Sequence, residues 1–110
     1  MRLPNAELAL IERVKLVEYL LDPGHPDGAG KAAFFRGRAF HPERWEILAG
    51  ALLQLVQTHE VVRATSSPHG EKFVVDGTLA CPDGSAARVR TIWIVDSGQI
   101  RPRLISAYPQ

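Results

Sequence analysis

The stretch EVVRATSSPHGEKFVVDGTLACPDGSAARVRTIWIV, Glu60 to Val95, decides the fold. Its β-branched and aromatic residues come in short runs divided by Ser67-Pro68-His69-Gly70 and by Pro82-Asp83-Gly84, the signature of strands separated by turns. Farther out, Asp96-Ser97-Gly98 sets off one more run. The pattern predicts strands at about Glu60 to Thr65, Glu71 to Leu79, Ala86 to Val95 and Arg103 to Tyr108. Connectors this short make successive strands antiparallel, because a parallel pair needs a crossover of about a dozen residues. Near its end the third strand is apolar on both parities, with Ile92 and Ile94 against Trp93 and Val95, which predicts a central strand covered on both faces.

Upstream of this stretch the period changes. Trp45, Leu48, Ala49, Leu52, Leu53 and Val56 fall at the i, i+3, i+4, i+7, i+8, i+11 positions of an amphipathic helix. Pro42 suits its first turn and Glu43 and Glu46 suit the positive end of its dipole, whereas His41 holds an N-cap position better served by Ser, Thr, Asp or Asn. A first helix is expected from Ile11 to Leu21, where Ile11, Val14, Val17, Leu20 and Leu21, with Leu16 beside them, recur at helical intervals until Asp22-Pro23-Gly24 stops them. The Gly- and Pro-rich segment Gly24 to Gly30 reads as a loop. Lys31 to Arg36 reads as a short helix carrying Phe34 and Phe35 into the core. Trp45 and Trp93 are read as core residues, and Tyr19 and Tyr108 as packing residues with their hydroxyls at the surface. The expected class is α+β: two to three N-terminal helices, then a four-stranded antiparallel β-meander, in a single domain spanning 1–110.

Composition excludes more than it identifies. A chain of 110 residues with 45% hydrophobic and 23% charged residues has the make-up of one globular domain. Thirteen Lys and Arg against twelve Asp and Glu leave a net charge of +1, so no bulk field marks a nucleic-acid or membrane binder. No apolar run approaches the roughly 20 residues of a membrane helix, and the first residues do not read as a secretion signal, so a cytoplasmic location is expected. Cys81, the lone cysteine, sits in a turn and is read as a bystander thiol.

Several familiar motifs fail on inspection. Gly24 to Lys31 resembles a phosphate-binding loop, but its spacing is one residue too long, Ala32 replaces the magnesium-binding hydroxyl, and a helix precedes it. His59-Glu60 begins a two-histidine zinc motif whose second histidine is Arg63 here. His25, His41 and His69 fall in separate loops or caps, and no Gly-x-Ser-x-Gly elbow exists. No cofactor and no metal are expected.

What remains is local basic charge. Lys31, Arg36 and Arg38 occur without an acid between Gly28 and Pro42, and Arg88 and Arg90 without one between Gly84 and Val95; Arg101 and Arg103 follow in the tail. Arg88 and Arg90, two apart on one strand, leave the same face of the sheet, and their donor forks suit phosphate. If that face meets His25 and Lys31, the site has an imidazole for proton transfer and cations for a developing phosphorane, the requirements of metal-free RNA cleavage. The plainer alternative is that the arginines are solvated or matched to carboxylates and His25 is a turn residue.

The pieces Leu3-Pro4-Asn5-Ala6-Glu7, Lys15 through Tyr19-Leu20-Leu21, His25-Pro26 with Gly28, Lys31-Ala32 with Phe34-Phe35, Arg88-Val89-Arg90-Thr91-Ile92-Trp93 and Arg103-Leu104-Ile105-Ser106-Ala107-Tyr108-Pro109 resemble an uncharacterised family of short bacterial proteins. The likeness runs nearly end to end. Ser106 stands where the family usually has Thr, keeping a hydroxyl, and His41 where it favours Ser or Asp. Similar domains end large polymorphic toxins, and small versions sit beside a gene for a short β-rich protein, so the resemblance implies a toxin and antitoxin arrangement. The order of elements is also similar to the barnase, EndoU, colicin and RelE group of metal-independent ribonucleases, a likeness of topology only. Together these lead to an expected endoribonuclease-like, toxin-type domain. His25 would be general acid or base, Lys31 and Arg90 would stabilise the phosphorane, Ser106 or Tyr108 would orient the phosphate, and Arg36, Arg38 and Arg88 would guide the RNA backbone. The alternative is a non-enzymatic interaction module that holds a β-rich, antitoxin-like partner through the same loop and an exposed strand edge.

Overall fold

Val61–Ser67 (β1), Gly70–Ala80 (β2), Ala86–Asp96 (β3) and Arg103–Pro109 (β4) pair in the order β1-β2-β3-β4, each with the next and all antiparallel. The computed structural model describes residues 1–110. The β2–β3 hairpin runs without a break from Gly70↔Asp96 to Ala80↔Ala86, while β1 is irregular between Val61 and Arg63, and the β3–β4 register shifts between Ile92 and Trp93, opposite Ile105. Such bulges re-aim the side chains beside them.

The helices come first and lie on one face of the sheet. Arg13–Lys15 (α1) leads directly into a π turn at Leu16–Leu20, Ala29–Arg36 forms α2, and a 3₁₀ turn at Pro42–Arg44 opens onto Trp45–Thr58 (α3). Phe35, Phe40, Leu48 and Leu52 pack against Phe73, Val75, Val89, Trp93 and Leu104 in the core. Thr91, fully buried, gives its hydroxyl proton to the Val75 carbonyl (2.7 Å) and accepts from the Trp93 indole (2.7 Å), so the polar groups at the sheet centre are satisfied. Cys81 is buried at the hairpin turn.

The expectations for the first helix, Phe34 and β3 need correction. The first helix starts at Arg13 and widens at once into the π turn, where the Leu21 N–H reaches the Leu16 carbonyl (2.7 Å). That turn buries Leu16, Leu20 and Leu21 together and leaves Val14, on the expected apolar stripe, 49% exposed. Phe35 is in the core, but Phe34 is only half-buried beneath the Arg38 guanidinium, 5.1 Å from its ring centroid. β3 is central, yet its second face carries no helix. There Ile92 is half-buried and Ile94 is tucked away outside the core cluster, so the doubled apolar pattern marks no second layer. The His41 side chain makes no capping hydrogen bond, in line with its poor fit to that position.

Candidate functional site at the β4 edge

Tyr19 is the centre of the site. It lies in the π turn one helical turn after Lys15, so both point to the same side, toward the edge strand β4. Its hydroxyl is 3.0 Å from Ser106 Oγ. The His25 ring meets it edge to face at 4.9 Å, and the Lys31 and Lys15 ammoniums sit 5.1 and 5.3 Å from its ring centroid. Lys31 also lies 5.9 Å from the Tyr108 ring. The glycine-rich loop comes this close because Gly28 has no side chain: a Cβ there would be 2.6 Å from the Tyr19 carbonyl oxygen and 2.8 Å from its ring.

Lys15, Tyr19 and His25 border an open groove of about 410 Å³ and share its lining with Glu18 and Asp27 over the apolar Val14 and Ile105, while Lys31, Ser106 and Tyr108 stand beside it. Although two acids line it, the groove holds no ion pair; the ion pairs of the chain are Arg90–Asp76 and Arg103–Asp96. Lys31 instead donates to the Asp27 carbonyl (3.3 Å). Burial pushes the Tyr19 phenol up, but polar contacts with Lys31 and Ser106 and the charges of Lys31 and Lys15 outweigh it and hold the group below its usual value. The Asp27 N–H donates to His25 Nδ1 (3.0 Å), so the neutral ring carries its proton on Nε2 and is a donor there. No three His, Cys, Asp or Glu side chains converge in a way that could hold a metal ion.

Of the residues singled out in the sequence, His25, Lys31, Ser106 and Tyr108 come together around Tyr19. Arg90 lies next to them, opposite Tyr108 in the β3–β4 register, but its fork is bound bidentately to Asp76 at 2.8 and 2.9 Å. Hydrogen bonding to Asp76 raises the Arg90 pKa, and the same bond holds Asp76 below the usual carboxylate range. Arg88 donates to Thr78 and Gln110, Arg36 to the Leu21 carbonyl, and Arg38 to Ser85 Oγ (2.8 Å); none of the three lines the groove.

Sequence reasoning missed Tyr19, Lys15 and Asp76. Tyr19 and Lys15 carried a signal in their four-residue spacing. Asp76 carried one too, since counting outward from the Pro82-Asp83-Gly84 turn sets it opposite Arg90.

Helices packed on one face of a four-stranded meander, with polar side chains gathered at one edge, define an α+β class that other solved proteins share. The fold is similar to a chain of the contact-dependent growth inhibition toxin–immunity protein complex from Klebsiella pneumoniae 342, with a TM-score of 0.71 and 15% identity over 91% of this chain and 98% of that chain. At that identity the likeness is one of fold. The chain belongs to the family described as Domain of unknown function (DUF6883), whose model matches residues 2–110. No curated protein matches it in sequence. No helix is long and apolar enough to cross a membrane.

Proposed function

We propose that this chain is a toxin-type endoribonuclease domain that cleaves RNA at the β4-edge groove without a metal. The observation that carries the reading is the cluster at the β4 edge: His25, Lys31 and Ser106 contact Tyr19, Lys31 also reaches Tyr108, and Tyr19 and His25 line the open groove beside them. Lys31 and Lys15, free of carboxylate partners, supply positive charge for a phosphodiester and for the phosphorane formed from it. Tyr108 orients the phosphate oxygens, Ser106 holds the Tyr19 hydroxyl beside them, and His25 donates from Nε2. Arg90, fixed by Asp76, backs Tyr108, and Arg88, Arg36 and Arg38 guide the RNA backbone outside the groove. An RNA substrate implies action in the cytoplasm.

Incubation of the purified protein with total RNA in excess EDTA tests this. Cleavage leaving 2′,3′-cyclic phosphate ends is expected, with Lys31→Ala slower by about 10²-fold, the loss typical of removing one preorganised charge-stabilising donor. Intact RNA after prolonged incubation with the wild-type protein would contradict it.

A second reading is favoured by the bare β1 edge together with the fold likeness to a chain from a toxin–immunity complex. Here the chain is an interaction module that adds a strand of a β-rich, antitoxin-like partner to β1. A stoichiometric complex lost on Val62→Lys would support it, and a complex unaffected by that change would count against it.

A further inference from the structure

We propose that Tyr19 is the catalytic base of this groove, taking the proton of the attacking RNA 2′-hydroxyl, and that Lys31 returns a proton to the leaving group. The proposal rests on the ribonuclease reading and deepens it.

His25 is the obvious candidate for the base, and its surroundings argue against it. Its Nδ1 lone pair already accepts from the Asp27 N–H at 3.0 Å, and Nε2 of the neutral ring holds a proton. Toward a substrate this imidazole is therefore a donor. Tyr19 has the opposite situation. Its oxygen sits at the end of a hydrogen bond to a hydroxyl, Ser106 Oγ, which can donate to a phenolate. Two ammoniums flank its ring, Lys15 from its own helical segment and Lys31 from α2, and neither has a carboxylate within ion-pair distance. The other charged or titratable groups facing it are Glu18 and Asp27 in the groove lining, His25 against its ring, and Tyr108, which shares Lys31 from β4. The direction of the phenol's shift agrees with this geometry.

The step balances between Tyr19 and Lys31. The Tyr19 phenolate accepts the 2′-hydroxyl proton, O2′ forms its bond to phosphorus, and the bond from phosphorus to O5′ breaks. The departing 5′ oxygen takes a proton from the Lys31 ammonium. Tyr19 then passes its proton to the Lys31 amine beside it, and both return to their starting states. The products are a 2′,3′-cyclic phosphate and a 5′-hydroxyl, with no oxidant, metal or other reactant consumed.

The test is the pH profile of kcat/KM on a short single-stranded RNA, read beside the ultraviolet titration of the phenols in the full chain. In the wild type the rate climbs with pH as one phenol ionises below the ordinary value of about 10. Tyr19→Phe is expected to lose about 10²- to 10⁴-fold in rate and to abolish both that limb and the early titration. Lys31→Met keeps the phenol but moves the limb to higher pH, so the proposal stays testable even if the Phe variant folds poorly. Tyr108→Phe keeps the early titration. Wild-type rate and an unchanged limb in Tyr19→Phe would overturn the role of Tyr19 while leaving the ribonuclease reading intact. A wild-type protein that cuts no RNA would overturn both.

Discussion

The two edges of the sheet are unlike in almost every physical respect. At the β4 edge, Leu10 forms a parallel bridge to Arg103, with its N–H bonded to the Pro102 carbonyl and its carbonyl to the Leu104 N–H, and Tyr19 reaches across to Ser106. At the β1 edge the Val61 N–H is bonded to the Met1 carbonyl, and beyond it β1 makes no backbone hydrogen bond to any element but β2. Every residue of β1 after Val61 is exposed. A covered edge can hold side chains from several segments in fixed relation, as a reactive site requires, whereas an open edge offers only backbone groups and is suited to recruiting another strand. Chemistry is therefore proposed at one edge and, at most, docking at the other.

The sharpest way to break this contrast is to loosen the segment that covers β4. Leu20, fully buried in the π turn, should cost about 2–5 kcal/mol on Leu20→Ala, measured by urea unfolding. A loss below about 1 kcal/mol, the scale of an ordinary point mutation, would mean that the segment is held far more loosely than its burial implies. Gly28→Ala comes next. With Tyr19 backbone and ring atoms in the way, it should cost about 1–3 kcal/mol and shift the Tyr19 resonances, and a variant as stable as wild type would show that the loop is free to move aside.

A third prediction concerns pH and the pair behind the site. The Arg90 hydrogen bond holds Asp76 below the usual carboxylate range, so the native state takes up this proton less readily than the unfolded chain. Its contribution is complete above the ordinary pKa of about 3.9 and is lost as pH falls through the lowered native value. The gap in Tm between wild type and Asp76→Asn should therefore close as the solution is acidified, and a gap that widened would reverse the sign. The smallest effect belongs to the bare edge: Val62→Thr, at a side chain 57% exposed, should change stability by no more than about 0.5 kcal/mol.

The sheet and α3 were legible because their signals are local: turn residues at Pro82-Asp83-Gly84 and Asp96-Ser97-Gly98, and a stripe from Trp45 to Val56. Even α3 shows the limit, since Leu55 is buried where Leu53 was expected to be and Trp45 is only half-buried. The first helix was misread because a π turn breaks the 3.6-residue period on which the reading depends, exchanging Val14 for Leu16 on the buried side. The grouping at the candidate site was legible only in part. His25, Lys31, Ser106 and Tyr108 carry recognisable chemistry, but their common neighbour Tyr19 was read as packing, because nothing local reveals a partner 87 residues away. Asp76 is hidden for a different reason: it lies across the hairpin on β2, opposite Arg90, and not beside it along β3.

Amide shift mapping with a short single-stranded RNA, made uncleavable by 2′-O-methylation, tests the division between the edges most directly. The expected result is a set of changes at Gly28 to Lys31 and Ser106 to Tyr108 with Val62 to Ser67 unmoved. Changes centred on β1, or none at the β4 edge at saturating RNA, would contradict it.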